Sequence, residues 1–396
     1  MLKTGPNIFL SAGEASGEAY GALLLTELKE RCASLGVTPR FLGMGGERME
    51  ALGLERVVRS EDVAVMGITE VIRHMPRIYA EYRKLKAAVH ERKPDIAVLI
   101  DFPDVHLRLA ETFKRLGIPV IFFVSPQLWA WKKGRIKRVR RFVDRMLVIF
   151  PFEEPFYRER EVEATYVGHP LADLTLPSVS RVLFAEENGL DVPNRWIGLL
   201  PGSRIKEIRL NLPEMVRAAR LLFERDGATE FVLPVAPTLT MAQLHEVTGL
   251  LTEHAAGLPV RMVRDARAAL FHARGSIVAS GTATVEAALI GNPFVVVYRV
   301  SPVTYWIAKR VVTVPHVAMV NLVAEKRLVP ELIQDDFTAG RIVQELEPLL
   351  ADGAARAEMR AGLKTVAEKL HGGQAADETA IGAVAGIVLK ALGLAD

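Results

Sequence analysis

Short runs of β-branched and aromatic residues alternate along this chain with longer stretches that carry apolar residues at helical spacing. The runs fall at 7–11, 40–43, 95–100, 119–124 and 145–150, and again at 196–200, 230–235, 260–263, 276–279 and 293–298. Runs this short and this apolar fit strands buried on both faces, and helical stretches between them supply the cover. The stretch 17–35 places Tyr20, Leu24 and Leu28 on one helical face, and 80–93 reads as a charged helix stopped by Pro94. Strand–helix alternation of this kind specifies an α/β chain with parallel sheets.

The alternation is interrupted once. Residues 173–194 contain Pro177, Ser178, Ser180 and Pro193 and read as a connection. The expected layout is an N-terminal domain over 1–172, a linker over 173–195, a second domain over 196–354 and C-terminal helices over 355–396. Both domains are expected to be doubly wound and Rossmann-like, facing a cleft that would hold the ligand. The last helices either fold back on the first domain or exchange with a second copy in a homodimer.

Composition removes several function classes. The longest stretch without a charged side chain, 116–131, has 16 residues and contains Gly117, Pro119, Ser125, Pro126 and Gln127. A membrane span needs about 20 apolar residues. The run Ile8-Phe9-Leu10 is too brief for a secretory signal, so a cytoplasmic location is expected. Cys32 is the sole cysteine, which excludes an internal disulfide and a cysteine-rich metal site. Neither Gly43-Met44-Gly45-Gly46 nor the loop at Gly13 fits G-x-G-x-x-G, and no G-x-x-x-x-G-K-[ST] occurs, which argues against a dehydrogenase or a P-loop NTPase.

Four loops carry candidate chemistry. Ser11-Ala12-Gly13-Glu14-Ala15-Ser16-Gly17 opens a helix with small residues, suiting an anion or a close ligand; a tight turn is the plain alternative. Ile100-Asp101-Phe102-Pro103-Asp104 sets two acids where an apolar strand ends, the edge at which open α/β sheets bind ligands. Either acid suits a general base, whereas Asp104 as a helix cap with Asp101 bonded locally is the plain reading. Pro201-Gly202-Ser203-Arg204 offers a guanidinium that can fork onto a diphosphate. Ser280-Gly281-Thr282-Ala283-Thr284-Val285-Glu286 offers hydroxyls for phosphate and, read on the helix's first turn, Glu286 for ribose hydroxyls; an N-cap with a first-turn acid is the alternative.

Two surfaces suit a greasy, anionic substrate. Residues 63–82 interleave Val63, Met66, Ile68, Val71, Ile72 and Met75 with Arg73, His74 and Arg77, resembling an interfacial element, although a core-facing helix has the same pattern. Residues 132–145 hold eight Lys or Arg against one acid, Asp144, next to Trp129 and Trp131. That cluster suits membrane or substrate phosphate. Nucleic acid is the weaker choice, because no recognised nucleic-acid module accompanies it.

Taken together, Gly13-Glu14-Ala15-Ser16-Gly17, Val65-Met66-Gly67-Ile68, Ser125-Pro126 with Trp129-Ala130-Trp131, Pro151-Phe152-Glu153, Gly168-His169, Pro201-Gly202-Ser203-Arg204 and Ser280-Gly281-Thr282-Ala283 resemble the lipid A disaccharide synthase family. The resemblance implies a GT-B glycosyltransferase, independent of metal and cofactor, at the cytoplasmic face of the inner membrane. It would move 2,3-diacylglucosamine from UDP-2,3-diacylglucosamine to the 6-hydroxyl of 2,3-diacylglucosamine 1-phosphate with inversion. It implies Asp101 as base and Arg204, with Ser203, on the diphosphate. Ser280, Gly281 and Thr282 would take the nucleotide, Glu286 the ribose, and Asn321 would lie near the donor. Gly13, Ser16, Gly17 and Asp104 would lie on the acceptor side, with Val63, Met66, Ile68, Val71, Ile72 and Met75 against acyl chains or anionic lipid. Glu18, Gln127, Val320 and Glu325 depart from the family pattern. The alternatives are another UDP-GlcNAc enzyme of this architecture, a cell-wall transferase or an epimerase, and a non-catalytic nucleotide-sugar binder.

Overall fold

A computed structural model describes residues 3–63, 68–130, 133–311, 314–372 and 378–395. The chain divides into two compact units, Met1–Asp173 with Leu370–Asp396, and Leu174–Lys369.

In the first unit, β1 (Lys3–Ala12), β2 (Val37–Gly45), β3 (Leu54–Arg59), β4 (Ile96–Ile100), β5 (Val120–Phe123), β6 (Arg145–Val148) and β7 (Ala164–Tyr166) form one parallel sheet in the order β3-β2-β1-β4-β5-β6-β7. The residues of β4 and β5 are buried without exception, as strands covered by helices on both faces must be. Phe9, Leu99, Phe113, Phe122 and Met146 meet in the core beneath helix Pro103–Arg115. The chain returns to this unit at its end. Gly168 (φ +83°) turns against the carbonyl of His371, His169 N–H donates to Leu370 O at 2.8 Å, and Ala380 N–H donates to the Asp173 carboxylate at 2.8 Å. Helix Ala380–Ala391 then packs on helix Ala15–Ser34.

In the second unit, β8 (Arg195–Leu200), β9 (Thr229–Pro234), β10 (Val260–Val263), β11 (Gly275–Ala279), β12 (Phe294–Tyr298) and β13 (Glu331–Ile333) run in the order β10-β9-β8-β11-β12-β13, also parallel. The stretch read as a connection contains a helix, Arg181–Asn188, capped by Ser180 and closed by Gly189 at φ +64°. It is tied into the second unit. Arg181 stacks 3.5 Å over the Trp196 ring and donates to the carbonyls of Val192, Asn194 and His272, while Phe184 joins Trp196 and Val232 in a small core.

Three strands are absent from the sequence reading: β3, β7 and β13. All lie at sheet edges, where outward residues need not be apolar, so their runs are short and mixed. Among the described residues no helix is long and apolar enough to cross a membrane.

Candidate active site

Each sheet reverses its order of connection at one point. In the first unit that point lies between β1 and β4, paired so that Ser11 faces Leu99 and Ala12 faces Ile100. The loops leaving these two strands therefore diverge to opposite faces and leave a crevice at the carboxyl edge. Gly13 to Gly17 leave β1, and Asp101 and Phe102 leave β4. Asp101 (φ +50°) and Phe102 (φ +49°) are both left-handed, a conformation that costs a side-chain-bearing residue about 1–2 kcal/mol. The Phe102 ring occupies the space a Cβ on Gly13 would need, which is why the first loop requires glycine there. A Cβ on Gly17 would make ordinary contact, at 3.6 Å, with Ala12 and Ile100, where the helix lies on the sheet. Ser16 is partly exposed on that helix's first turn.

The two acids of the second loop are treated differently. Asp104 is exposed, stands in the first turn of helix Pro103–Arg115 and is ion-paired with Arg135. Asp101 lies at the strand end, half-buried, with its N–H donating to Phe123 O at 2.9 Å.

In the second unit the reversal lies between β8 and β11. From β8 the chain passes Gly202 (φ +121°), where a Cβ would lie 2.5 Å from Glu207, and enters helix Ile205–Arg225 at Arg204. Arg204 Nη1 lies 3.5 Å from Glu207 Oε1 and remains partly exposed, as does Ser203. Asn211 was not anticipated. It is fully buried, and its side-chain amide donates to Pro201 O at 2.9 Å, pinning the loop from beneath. From β11 the chain passes Ser280, whose N–H donates to Val297 O, and Gly281 caps helix Thr282–Ile290 at φ +152°. Ser280, Gly281 and Thr282 reach solvent at this edge. Two helix N-termini and a guanidinium thus converge on the reversal point, an arrangement suited to a diphosphate. Tyr298, at the end of β12, belongs here too: its hydroxyl is held above its ordinary pKa by burial and by Glu207, with Arg204 pulling the other way.

Glu286 is not in the first turn. The helix begins at Thr282, which leaves Glu286 one turn further in, where burial raises its pKa, Arg267 lowers it and Asp265 raises it. Asn321 is fully buried. Its Nδ2 donates to Val329 O (2.9 Å) and Glu331 Oε1 (2.8 Å), and its Oδ1 accepts from Leu328 N (2.8 Å) and Val329 N (2.9 Å). Both donors and both acceptor positions are used within the unit, so the side chain ties 328–331 to helix Met319–Ala324 rather than offering a hydrogen bond to a donor sugar.

The surfaces expected to meet lipid are also changed. Val63 is 3 % exposed and sits in the first unit's core with Val58 and Leu85, so it makes no outward contact. Met66 lies outside the described residues, as do the side chains of Ile68, Val71, Ile72 and Met75 on helix Ile68–Arg92. Farther along this helix, Ile78 and Tyr82 pack against the core while Tyr79 is exposed. In the basic run, Arg135, Arg138, Arg140 and Arg145 are paired with Asp104, Glu111, Glu161 and Glu163 respectively. Much of that positive charge is therefore balanced within the unit.

The carboxyl edge holds one further acid that sequence reading did not single out as a functional residue. Glu153 is 1 % exposed and receives the Trp129 indole N–H at 3.0 Å and the Phe150 N–H at 3.1 Å. Beside it, Ser125 Oγ and Tyr157 OH lie 2.7 Å apart. This knot ties the loops after β5 and β6 together. Burial raises the Glu153 pKa to about 7 against the lowering effect of its hydrogen-bond donors. The unfolded chain therefore releases this proton near pH 4.5 and the folded one near 7, so native stability falls as pH rises through that window, by about 3 kcal/mol at most. The expected result is that the stability difference between the natural protein and Glu153→Gln shifts in the variant's favour by up to that amount between pH 4.5 and 8. Taking the difference cancels His106 and His169, whose burial lowers them to about 4 and about 3 and makes stability fall as pH drops. Denaturant unfolding at both pH values checks it; a pH-independent difference would remove the titration from Glu153.

Known proteins resemble this chain over nearly its whole length. The family model described as lipid-A-disaccharide synthetase matches residues 8–383. The lipid-A-disaccharide synthase of Acidobacterium capsulatum is 61 % identical over 378 residues, 93 % of each chain, and that of Koribacter versatilis is 47 % identical over 385 residues, 96 % of each. Among solved structures, a UDP-N-acetylglucosamine 2-epimerase from Listeria monocytogenes superposes with a TM-score of 0.67 at 12 % identity, covering 99 % of this chain and 98 % of its own. The calicheamicin glycosyltransferase CalG4 gives 0.60 at 17 %, covering 98 % of both. At such identities the structures show the fold, two Rossmann-like domains of the GT-B kind, while the sequence relatives carry more. With a match that runs through both reversal points and nearly the whole chain, this protein belongs to the lipid-A-disaccharide synthase family and is a glycosyltransferase.

Proposed function

We propose that the chain joins two acylated glucosamines. It takes 2,3-diacylglucosamine from its UDP conjugate and places it on the 6-hydroxyl of 2,3-diacylglucosamine 1-phosphate, giving a β-1,6 disaccharide and UDP. The observation that carries this reading is Asp101, a carboxylate at the strand-order reversal of the first unit in a chain of this family. In the proposed step a lone pair on the acceptor O6 forms the new bond to the anomeric carbon, from the face opposite the diphosphate. The anomeric carbon–oxygen bond breaks, its electron pair leaves on UDP, and the O6 proton passes to the Asp101 carboxylate. General-base assistance of this kind contributes about 10²–10⁴-fold. Arg204 and the N–H groups that open helices Ile205–Arg225 and Thr282–Ile290 meet the charge growing on the diphosphate.

The test is UDP release in detergent micelles with EDTA present. Release that needs the acylated acceptor and persists in EDTA is expected; turnover of unacylated UDP-GlcNAc alone would replace this reading with another enzyme of the same architecture. The membrane contact, proposed for helix Ile68–Arg92 and its flank, has its own test. Neutralising Arg73, Arg77, Arg83 and Lys84 together should reduce binding to anionic liposomes at least several-fold, and unchanged binding would remove the surface from the account.

A further inference from the structure

The left-handed turn that presents Asp101 does not hold itself. Two consecutive residues with side chains at φ near +50° store strain, and such a turn persists only where its surroundings over-determine it. Its backbone groups are taken up one by one. Asp101 N–H donates to Phe123 O (2.9 Å), and Phe102 O accepts from His106 N–H (3.1 Å). The carbonyl of Asp101 is met by a side chain, His106 Nδ1, at 2.7 Å. The other ring nitrogen, Nε2, lies 2.8 Å from Ser11 Oγ on β1, and both His106 and Ser11 are fully buried. The rings of Phe102 and Phe122 stand nearly perpendicular to the imidazole, with centroids 5.7 and 6.2 Å from it.

This geometry fixes the tautomer. A carbonyl can only accept, so Nδ1 carries the hydrogen; burial holds the ring neutral, with its pKa lowered to about 4, so Nε2 is a bare lone pair. The Ser11 hydroxyl must then be the donor to it. The chain of donors runs from β1 through the ring to the Asp101 carbonyl and crosses the reversal point on which the acceptor loop and the acid both stand.

We infer that His106 is a positioning residue for the transfer reaction: with Ser11 donating to its Nε2, it clamps the main chain of Asp101 and so fixes where the carboxylate stands. The inference rests on the reading of Asp101 as base. His106 itself touches no substrate. Displacing a reacting group by about 1 Å costs on the order of 10²-fold in rate, so the effect should appear in kcat.

The experiment is a kinetic cycle on the full chain, with UDP-2,3-diacylglucosamine and 2,3-diacylglucosamine 1-phosphate. His106→Leu, which removes the donor, should lower kcat by about 30- to 100-fold with KM for the UDP sugar changed less than twofold. His106→Asn, whose side-chain nitrogen stands as far from Cα as Nδ1, should recover to within about fivefold of the natural protein. In an Asp101→Asn background, His106→Leu should cost nothing more, because the group it positions has lost its function. Equal losses in both backgrounds, or an Asn variant that folds yet is as slow as Leu, would overturn the clamp. Should the Leu variant fail to fold, nitrogen NMR of the natural protein decides: Nε2 should resonate as an unprotonated ring nitrogen from pH 5 to 8, and a protonated Nε2 would contradict the assignment. Failure of the underlying reading looks different, since Asp101→Asn alone would then keep the natural rate.

Discussion

Asp101→Asn is expected to lower kcat about 10³-fold, within the 10²–10⁴-fold span of general-base catalysis, and to leave KM for the UDP sugar nearly unchanged. Asparagine has almost the same shape and tolerates the left-handed conformation, so the turn at the end of β4 should survive. His106 holds the main-chain carbonyl and not the carboxylate, so that contact persists in the variant. What is lost is the site for the O6 proton. Asp104→Asn is the matched control: Asp104 is exposed and tied to Arg135 on the helix surface, and its replacement should change kcat by less than about fivefold. Steady-state kinetics on the three proteins separates the two acids, and a larger loss in Asp104→Asn would exchange their roles.

The second large effect is expected at Arg204. Arg204→Ala should reduce kcat by about 10²- to 10³-fold, the usual consequence of removing one preorganised donor from a site where charge develops. The guanidinium stands at the mouth of helix Ile205–Arg225, beside Glu207 and across the reversal point from Gly281, where the backbone N–H groups cannot by themselves balance a diphosphate leaving group. Arg204→Lys should recover only part of the loss, because an ammonium lacks the planar fork that grips two phosphate oxygens at once. A variant whose KM rises while kcat stays level would show that Arg204 binds ground and transition states equally and takes no part in leaving-group stabilisation.

The parts of the fold that were legible are those where burial on both faces leaves nothing but apolar residues in the chain. Ile96–Ile100 and Val120–Phe123 announce themselves in this way, and the small-residue loops at the carboxyl ends of β1, β8 and β11 stand out by Gly13, Gly202 and Gly281. Leu54–Arg59 and Glu331–Ile333 do not, because an edge strand shares its outward face with water and its sequence resembles a loop. Site residues divide similarly. Asp101 and Arg204 could be proposed from sequence because a polar group at a strand end is conspicuous. His106 and Glu153 were not identified as functional groups, because their meaning lies in partners far along the chain: Ser11 precedes His106 by 95 residues, and Trp129 precedes Glu153 by 24. Val63 and Asn321 have internal partners that the sequence does not display. An apolar stripe beside arginines fits a membrane face and a core face equally, and an asparagine within a family motif gives no sign that its amide is already saturated.

The measurement that bears most directly on the account is the structure of the product. The full chain, given UDP-2,3-diacylglucosamine and 2,3-diacylglucosamine 1-phosphate in micelles, should yield one UDP for each β-1,6-linked disaccharide 1-phosphate, resolved by mass spectrometry and by the anomeric coupling in proton NMR. Asp101→Asn should give the same product about 10³-fold more slowly. UDP released without disaccharide, or a disaccharide with retained α configuration, would contradict an inverting transfer driven by Asp101.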